Sequence, residues 1–153
     1  MYADYTYYVD EYYGDILTAQ NADRWLTRAS REIDGRTYGR LETAFPTNEY
    51  SITRVKDAVC AVAEALCQID LLQKASAATV NEDGSARLPV TSISSGKESM
   101  SFGSSGSSFS AAANDTGTRE KLIGGIVTDY LRSAVDANGI SLLYAGKEGK
   151  NAR

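Results

Sequence analysis

Cys60 and Cys67 are the two thiols of a 153-residue chain that contains no histidine. Imidazole is the usual general base near neutral pH and the commonest metal ligand, so Ser-His and Cys-His catalysis are excluded. Zinc would have to rest on two cysteines plus carboxylates, and the Cys60 to Cys67 spacing matches no finger or ribbon. On one helix the two thiols would lie about 10.5 Å apart along the axis. A disulfide needs Cα atoms within about 7 Å. Both therefore read as small core residues.

The serine-rich middle of the chain imitates several catalytic motifs without completing one. Ser95-Gly96-Lys97-Glu98 has part of a phosphate-binding loop, but Thr91 stands where that loop needs glycine and Glu98 where it needs Ser or Thr. Ser94-Ser95-Gly96-Lys97 fits Ser-x-x-Lys, yet the companion Ser-Asp-Asn and Lys-Thr-Gly motifs are missing. Gly103-Ser104-Ser105-Gly106-Ser107 lacks the final glycine of a nucleophile elbow. The acid pairs Asp10 with Glu11 and Glu82 with Asp83 lie in loop-like sequence with no apolar neighbourhood to separate their pKa values. The expectation is a protein that is not an enzyme and uses no cofactor or metal.

Sixteen basic residues against twenty acidic ones leave a net charge of −4, with the basic residues scattered. No polybasic run marks a nucleic-acid grip, although a mildly acidic wall can line a DNA passage without the duplex sticking. The arginines Arg24, Arg28 and Arg31 read as a solvated face, since Asp23, Glu32 and Asp34 interleave with them. The longest purely apolar run, Ala58 to Ala63, falls far short of the ~20 residues a bilayer requires. An acidic N-terminus with no Lys or Arg before Arg24 is the reverse of a secretory or transit peptide, so a cytosol-like compartment is expected.

A chain of this length and composition fits one domain with an ordinary core. Residues 1–15 hold six of the ten tyrosines, and Tyr5 to Val9 reads as a short strand. From a Thr18 cap, Ala22, Leu26, Ala29 and Ile33 recur at helical spacing, which predicts a helix over 18–34. Val55, Val59, Val62, Leu66 and Ile69 predict a long helix over 51–72, with small residues nearly all round it, as suits a helix covered on several sides. Residues 90–102 read as a β-hairpin turning at Gly96-Lys97, and 103–117 as a mobile Ser/Gly linker. A third helix is expected over 118–135, capped by Thr118 and ended by Gly139; its Gly124-Gly125 pair marks either a tolerated weak spot or a close backbone approach. Within the terminal segment 139–153, the apolar run Ile140 to Tyr144 reads as a strand seeking a partner. The fold class expected is mainly α, with about three helices, a hairpin between the second and third, and short terminal strands.

That order of elements resembles the head-to-tail connector (adaptor, or head completion) proteins of long-tailed bacteriophages. Tyr12-Tyr13-Gly14-Asp15, then Trp25-Leu26 through Ala29-Ser30 and Ile33-Asp34 to Tyr38-Gly39-Arg40, is similar to that family's opening. Thr53-Arg54-Val55-Lys56-Asp57-Ala58-Val59-Cys60 resembles the start of its second helix. Ser92 to Phe102 resembles its hairpin, and Leu142-Leu143-Tyr144-Ala145-Gly146 its C-terminal strand. The longer Ser/Gly stretch and the tyrosine-dense start depart from the pattern. None of these pieces is a catalytic signature.

The resemblance implies a structural virion protein assembled in the host bacterial cytoplasm. It would form a ring of twelve subunits beneath the portal at the capsid vertex, extend the DNA channel and offer the tail its attachment surface. The partners implied are copies of itself, the portal protein, a tail or stopper protein, and double-stranded DNA passing through without sequence-specific binding; no membrane is involved. On this reading Ile93, Met100 and Phe102 pack between subunits, while Ile140, Leu142, Leu143 and Tyr144 dock on the portal or the next subunit. Deleting residues 139–153 is then expected to leave a folded domain that no longer joins portal rings. The alternatives are another neck or tail-completion component, or a small helical regulator of host proteins.

Overall fold

Asn48 starts the longest helix of the computed structural model, which describes residues 1–77, 92–95, 98–101 and 107–145. Its side-chain oxygen accepts from the Ser51 N–H at 2.7 Å, so α4 spans Glu49–Ala77 and begins earlier than the periodicity alone suggests. Val55, Ala58, Val59, Cys60, Val62, Ala63, Ala65, Leu66, Cys67 and Ile69 are all buried, leaving little of this helix to solvent. Covering so much of one helix takes neighbours on several sides. Helix α2 (Ala22–Arg36) lies on one side, and α5 (Ser108–Asn114) and α6 (Thr116–Leu131) pack against α4 and each other. The fold is mainly helical.

The N-terminal segment departs from expectation. Tyr5–Asp10 is not a strand but helix α1, capped by Asp4, whose carboxylate accepts from the Tyr7 N–H at 2.8 Å. Its aromatic residues have strand propensity, but helical spacing stacks the Tyr5, Tyr8 and Tyr12 rings in succession, with centroids 6.2 and 5.9 Å apart. Tertiary contact overrides the local preference.

Helix α2 starts at Ala22 rather than Thr18. Thr18 instead forms a preceding turn, its carbonyl accepting from the N–H groups of Asn21 and Ala22. It runs on through Gly35, and the chain then reverses at Tyr38 and Gly39, both with positive φ, before a short α3 (Arg40–Thr43) inside what reads as a polar connection. A residue in the left-handed region is uncommon unless it is glycine, and here backbone bonds from the Gly39 and Arg40 N–H groups to the Asp34 and Thr37 carbonyls close the turn around Tyr38.

Strands β1 (Ser92–Ser95) and β2 (Glu98–Ser101) pair antiparallel, with Ile93 opposite Met100. Phe102 lies outside the described residues, as do 103–106 of the expected linker. Within that linker, Ser108–Asn114 is not coil but α5: Ser107 caps it, Ala112 is buried and Phe109 packs on the core. Three consecutive alanines are strong helix formers, which the serine-rich composition concealed. Helix α6 begins at Thr116 because Asp115 supplies the cap, accepting from both the N–H and the hydroxyl of Thr118.

Helix α6 ends at Leu131, short of the expected Val135. Ile140 to Tyr144 is correspondingly no strand: a single bridge, Val135 to Ser141, and turns hold this segment. Leu142 is fully buried and its N–H donates to the Ala134 carbonyl at 3.0 Å, so the chain's C-terminal stretch closes its own core.

Candidate functional site

The polar interior is concentrated in two places, and each is built by tyrosine or aspartate side chains satisfying backbone groups. In the first, tyrosine hydroxyls of α1 and of the residues before it reach carboxylates on α4 and α2. Tyr7 donates to Asp57 at 2.9 Å and Tyr8 to Glu64 at 2.7 Å, while Tyr2 donates to Asp34 of α2. The Tyr8 hydroxyl also accepts from the N–H groups of Ile16 and Leu17 at 2.8 and 3.0 Å, which ties the loop after α1 to α4 through one oxygen. Its ring is fully buried and fills the space beside Gly14, where a Cβ would collide with it.

Burial pushes the Glu64 carboxyl above the ordinary carboxylate range, and hydrogen bonds from Tyr8 and Tyr12 pull it back in part, with Asp15 adding to the upward push. Desolvation first, and the hydrogen-bonded carboxylates second, hold the Tyr2 and Tyr7 phenols well above their usual value. Between Asp57 and Glu64 on α4, the Cys60 thiol is pushed up to about 12, chiefly by burial and then by those two acids. Cys67 shifts the same way for the same first reason. Neither thiol is free to ionise near neutral pH, so both serve as core residues.

The second polar cluster organises the turn after α6. Asp136 is buried; its carboxylate accepts from the N–H groups of Asn138 and Ile140 at 2.8 and 2.9 Å and pairs with Arg40 of α3 at 3.4 Å. Arg40 in turn donates to the Tyr144 carbonyl at 3.2 Å and lies over its ring. Ser51, buried at the start of α4, accepts from the Val135 N–H at 3.0 Å. These groups fix residues 134–144 against α3 and α4.

Beside this cluster, Gly35, Arg36, Tyr38, Gly124, Val127, Thr128 and Leu143 line an open groove of about 400 Å³. Arg36 reaches across from α2 to pair with Glu120 of α6. Gly124 lets it pass, since a Cβ there would stand 3.2 Å from the guanidinium, whereas Gly125 is exposed and meets nothing. The glycine pair therefore combines a close approach with a tolerated neighbour. The groove holds no acid and base set side by side, and among the described residues no group of three or more His, Cys, Asp or Glu is placed to hold a metal ion.

The residues expected at interfaces fall on two segments, and Phe102 lies outside the described residues. Ile93 and Met100 are register partners in the strand pair. Ile140 and Leu143 are half-buried, and Leu142 belongs to the chain's own core, which removes it from any partner surface. Tyr144 is 55% exposed, and Tyr38, which lines the groove, is 63% exposed. Sequence reasoning missed Tyr38 and Arg40 as partners of this C-terminal turn; the Tyr38-Gly39-Arg40 reversal was the available signal. No family model, curated protein or solved structure matches the chain.

Proposed function

We propose that this chain is a structural subunit of a bacteriophage head-to-tail connector, assembling as a ring beneath the portal. The observation that carries the reading is a two-stranded sheet, β1 with β2, whose outer edges have no further strand beside them among the described residues, set between two helices of a closed helical core. A two-stranded hairpin is marginal by itself in water, and an open edge is a template for pairing. Addition of strands from neighbouring copies would satisfy those edges, and a head-to-tail interface closes into a ring. The order of helices, hairpin and C-terminal segment supports the family resemblance. Tyr38 and Tyr144 are exposed aromatic residues, a type enriched at interfaces.

The test is native mass spectrometry of the protein mixed with the portal ring encoded by the same genome, with electron microscopy of the product. Portal rings carrying about one copy per portal subunit are expected. An intact portal ring that takes up none overturns the proposal, and capture by tail proteins in its place would assign the chain to tail completion. Deleting residues 139–153 is no longer the informative variant, because it would remove Leu142 from the core. The double substitution I93S/M100S takes its place.

A further inference from the structure

The solvent face of α2 carries an array of cations that the acidic residues of the same helix do not neutralise. Arg24, Arg28 and Arg31 are exposed and stand at i, i+4 and i+7, on one face and about 10.5 Å from first to last. Among the described residues none of the three has an ion-pair partner. Asp23, Glu32 and Asp34 interleave with them in sequence, and Glu32 stands at i+4 from Arg28 and Asp34 at i+3 from Arg31, yet none of these carboxylates lies within ion-pair distance of the three arginines. Two of them are engaged elsewhere: Glu32 pairs with Arg36 at 3.8 Å, and Asp34 accepts from the Tyr2 hydroxyl.

Two of the three guanidiniums also share one aromatic partner. Arg24 and Arg28 both lie over the buried Trp25 ring, at 4.8 and 5.1 Å from its centroid. A guanidinium placed over an indole is attracted by the ring and keeps N–H donors that a ligand can use. Like charges at i and i+4 repel, so an unneutralised array in a protein of net charge −4 is a local cost that a bound polyanion would reverse.

We infer that the Arg24-Arg28-Arg31 face of α2 is a phosphate-backbone contact for double-stranded DNA. Its length covers about three phosphate-to-phosphate steps of one strand, at 3.4 Å each, which leaves each guanidinium room to meet its own phosphate. The contact is electrostatic and reads no bases. The inference rests on the connector reading for its setting, and it selects α2 as the element that faces the duplex.

The experiment titrates the full chain with a 20-base-pair duplex of arbitrary sequence at low salt, following the fluorescence of Trp25, the single tryptophan. A saturable change is expected, and with three phosphates neutralised, doubling the salt should weaken binding about sixfold. The variant R24Q/R28Q/R31Q should lose at least tenfold in affinity, followed by anisotropy of a labelled duplex. R24K/R28K/R31K keeps the charge and should stay within about threefold of the parent. Removing three cations elsewhere, in K74Q/K121Q/R132Q, should also change affinity by less than about threefold. Equal losses in the α2 and control triple variants would overturn the inference, as would a Trp25 signal indifferent to duplex. A third overturning outcome is an α2 triple variant that loses only self-association in sedimentation, which would assign the face to an acidic surface of a second copy. Loading of portal rings is measured separately, so failure to bind DNA leaves the connector reading standing.

Discussion

Tyr8 shows how much of this fold hangs on single polar atoms. One phenolic oxygen donates to Glu64 and accepts from two backbone N–H groups, in a site where its ring is closed off from water. Tyr8→Phe keeps the ring and strands those partners, so unfolding by urea should show a loss of about 1–3 kcal/mol, the cost of leaving buried polar groups unpaired. Glu64 carries the pH dependence of the same contact. Its carboxyl titrates at a higher pH in the folded chain than in the unfolded one, so the folded state holds the proton more tightly. Its contribution is therefore most favourable below the unfolded value and declines as pH rises through the folded one. Glu64→Gln removes the charge and retains an acceptor. Thermal melts at pH 4 and pH 7 should find the variant gaining on the parent at pH 7 and losing that advantage at pH 4.

At the scale of elements, the segment after α6 belongs to the core. Leu142 fills the interior while Tyr144, two residues on, stands in solvent over Arg40. Leu142→Ala should cost about 2–5 kcal/mol in denaturant unfolding. Tyr144→Ala should cost less than about 1 kcal/mol in the same measurement, since it leaves no buried cavity. The helices explain why this was only partly legible. The stripes of α2 and α4 repeat Ala, Leu, Val and Ile at three and four residues over many turns, a pattern no other local structure satisfies. The run Ile140 to Tyr144 is too short for any periodicity to decide, and its turn depends on Asp136 and Arg40, a pair separated by 96 residues. Helix α1 fails the same way: its tyrosines suit a strand locally, and their acceptors on α4 lie about fifty residues away.

For the whole molecule, the connector proposal makes assembly separable from folding. The variant I93S/M100S changes two residues of the strand pair and none of the helices, so its thermal midpoint should stay within a few degrees of the parent. Its loading of portal rings, read by native mass spectrometry, should fall by at least tenfold. Composition and pattern alone determined the single helical core and the two main helices, because amphipathic spacing and residue chemistry are local properties. The lack of histidine likewise excluded imidazole-dependent catalysis before any fold was known. Only the tertiary structure decided the helical N-terminus and the inward-facing Leu142. Each of these depends on which distant carboxylate, carbonyl or ring a side chain meets, and contacts between residues far apart in sequence leave no local pattern to read.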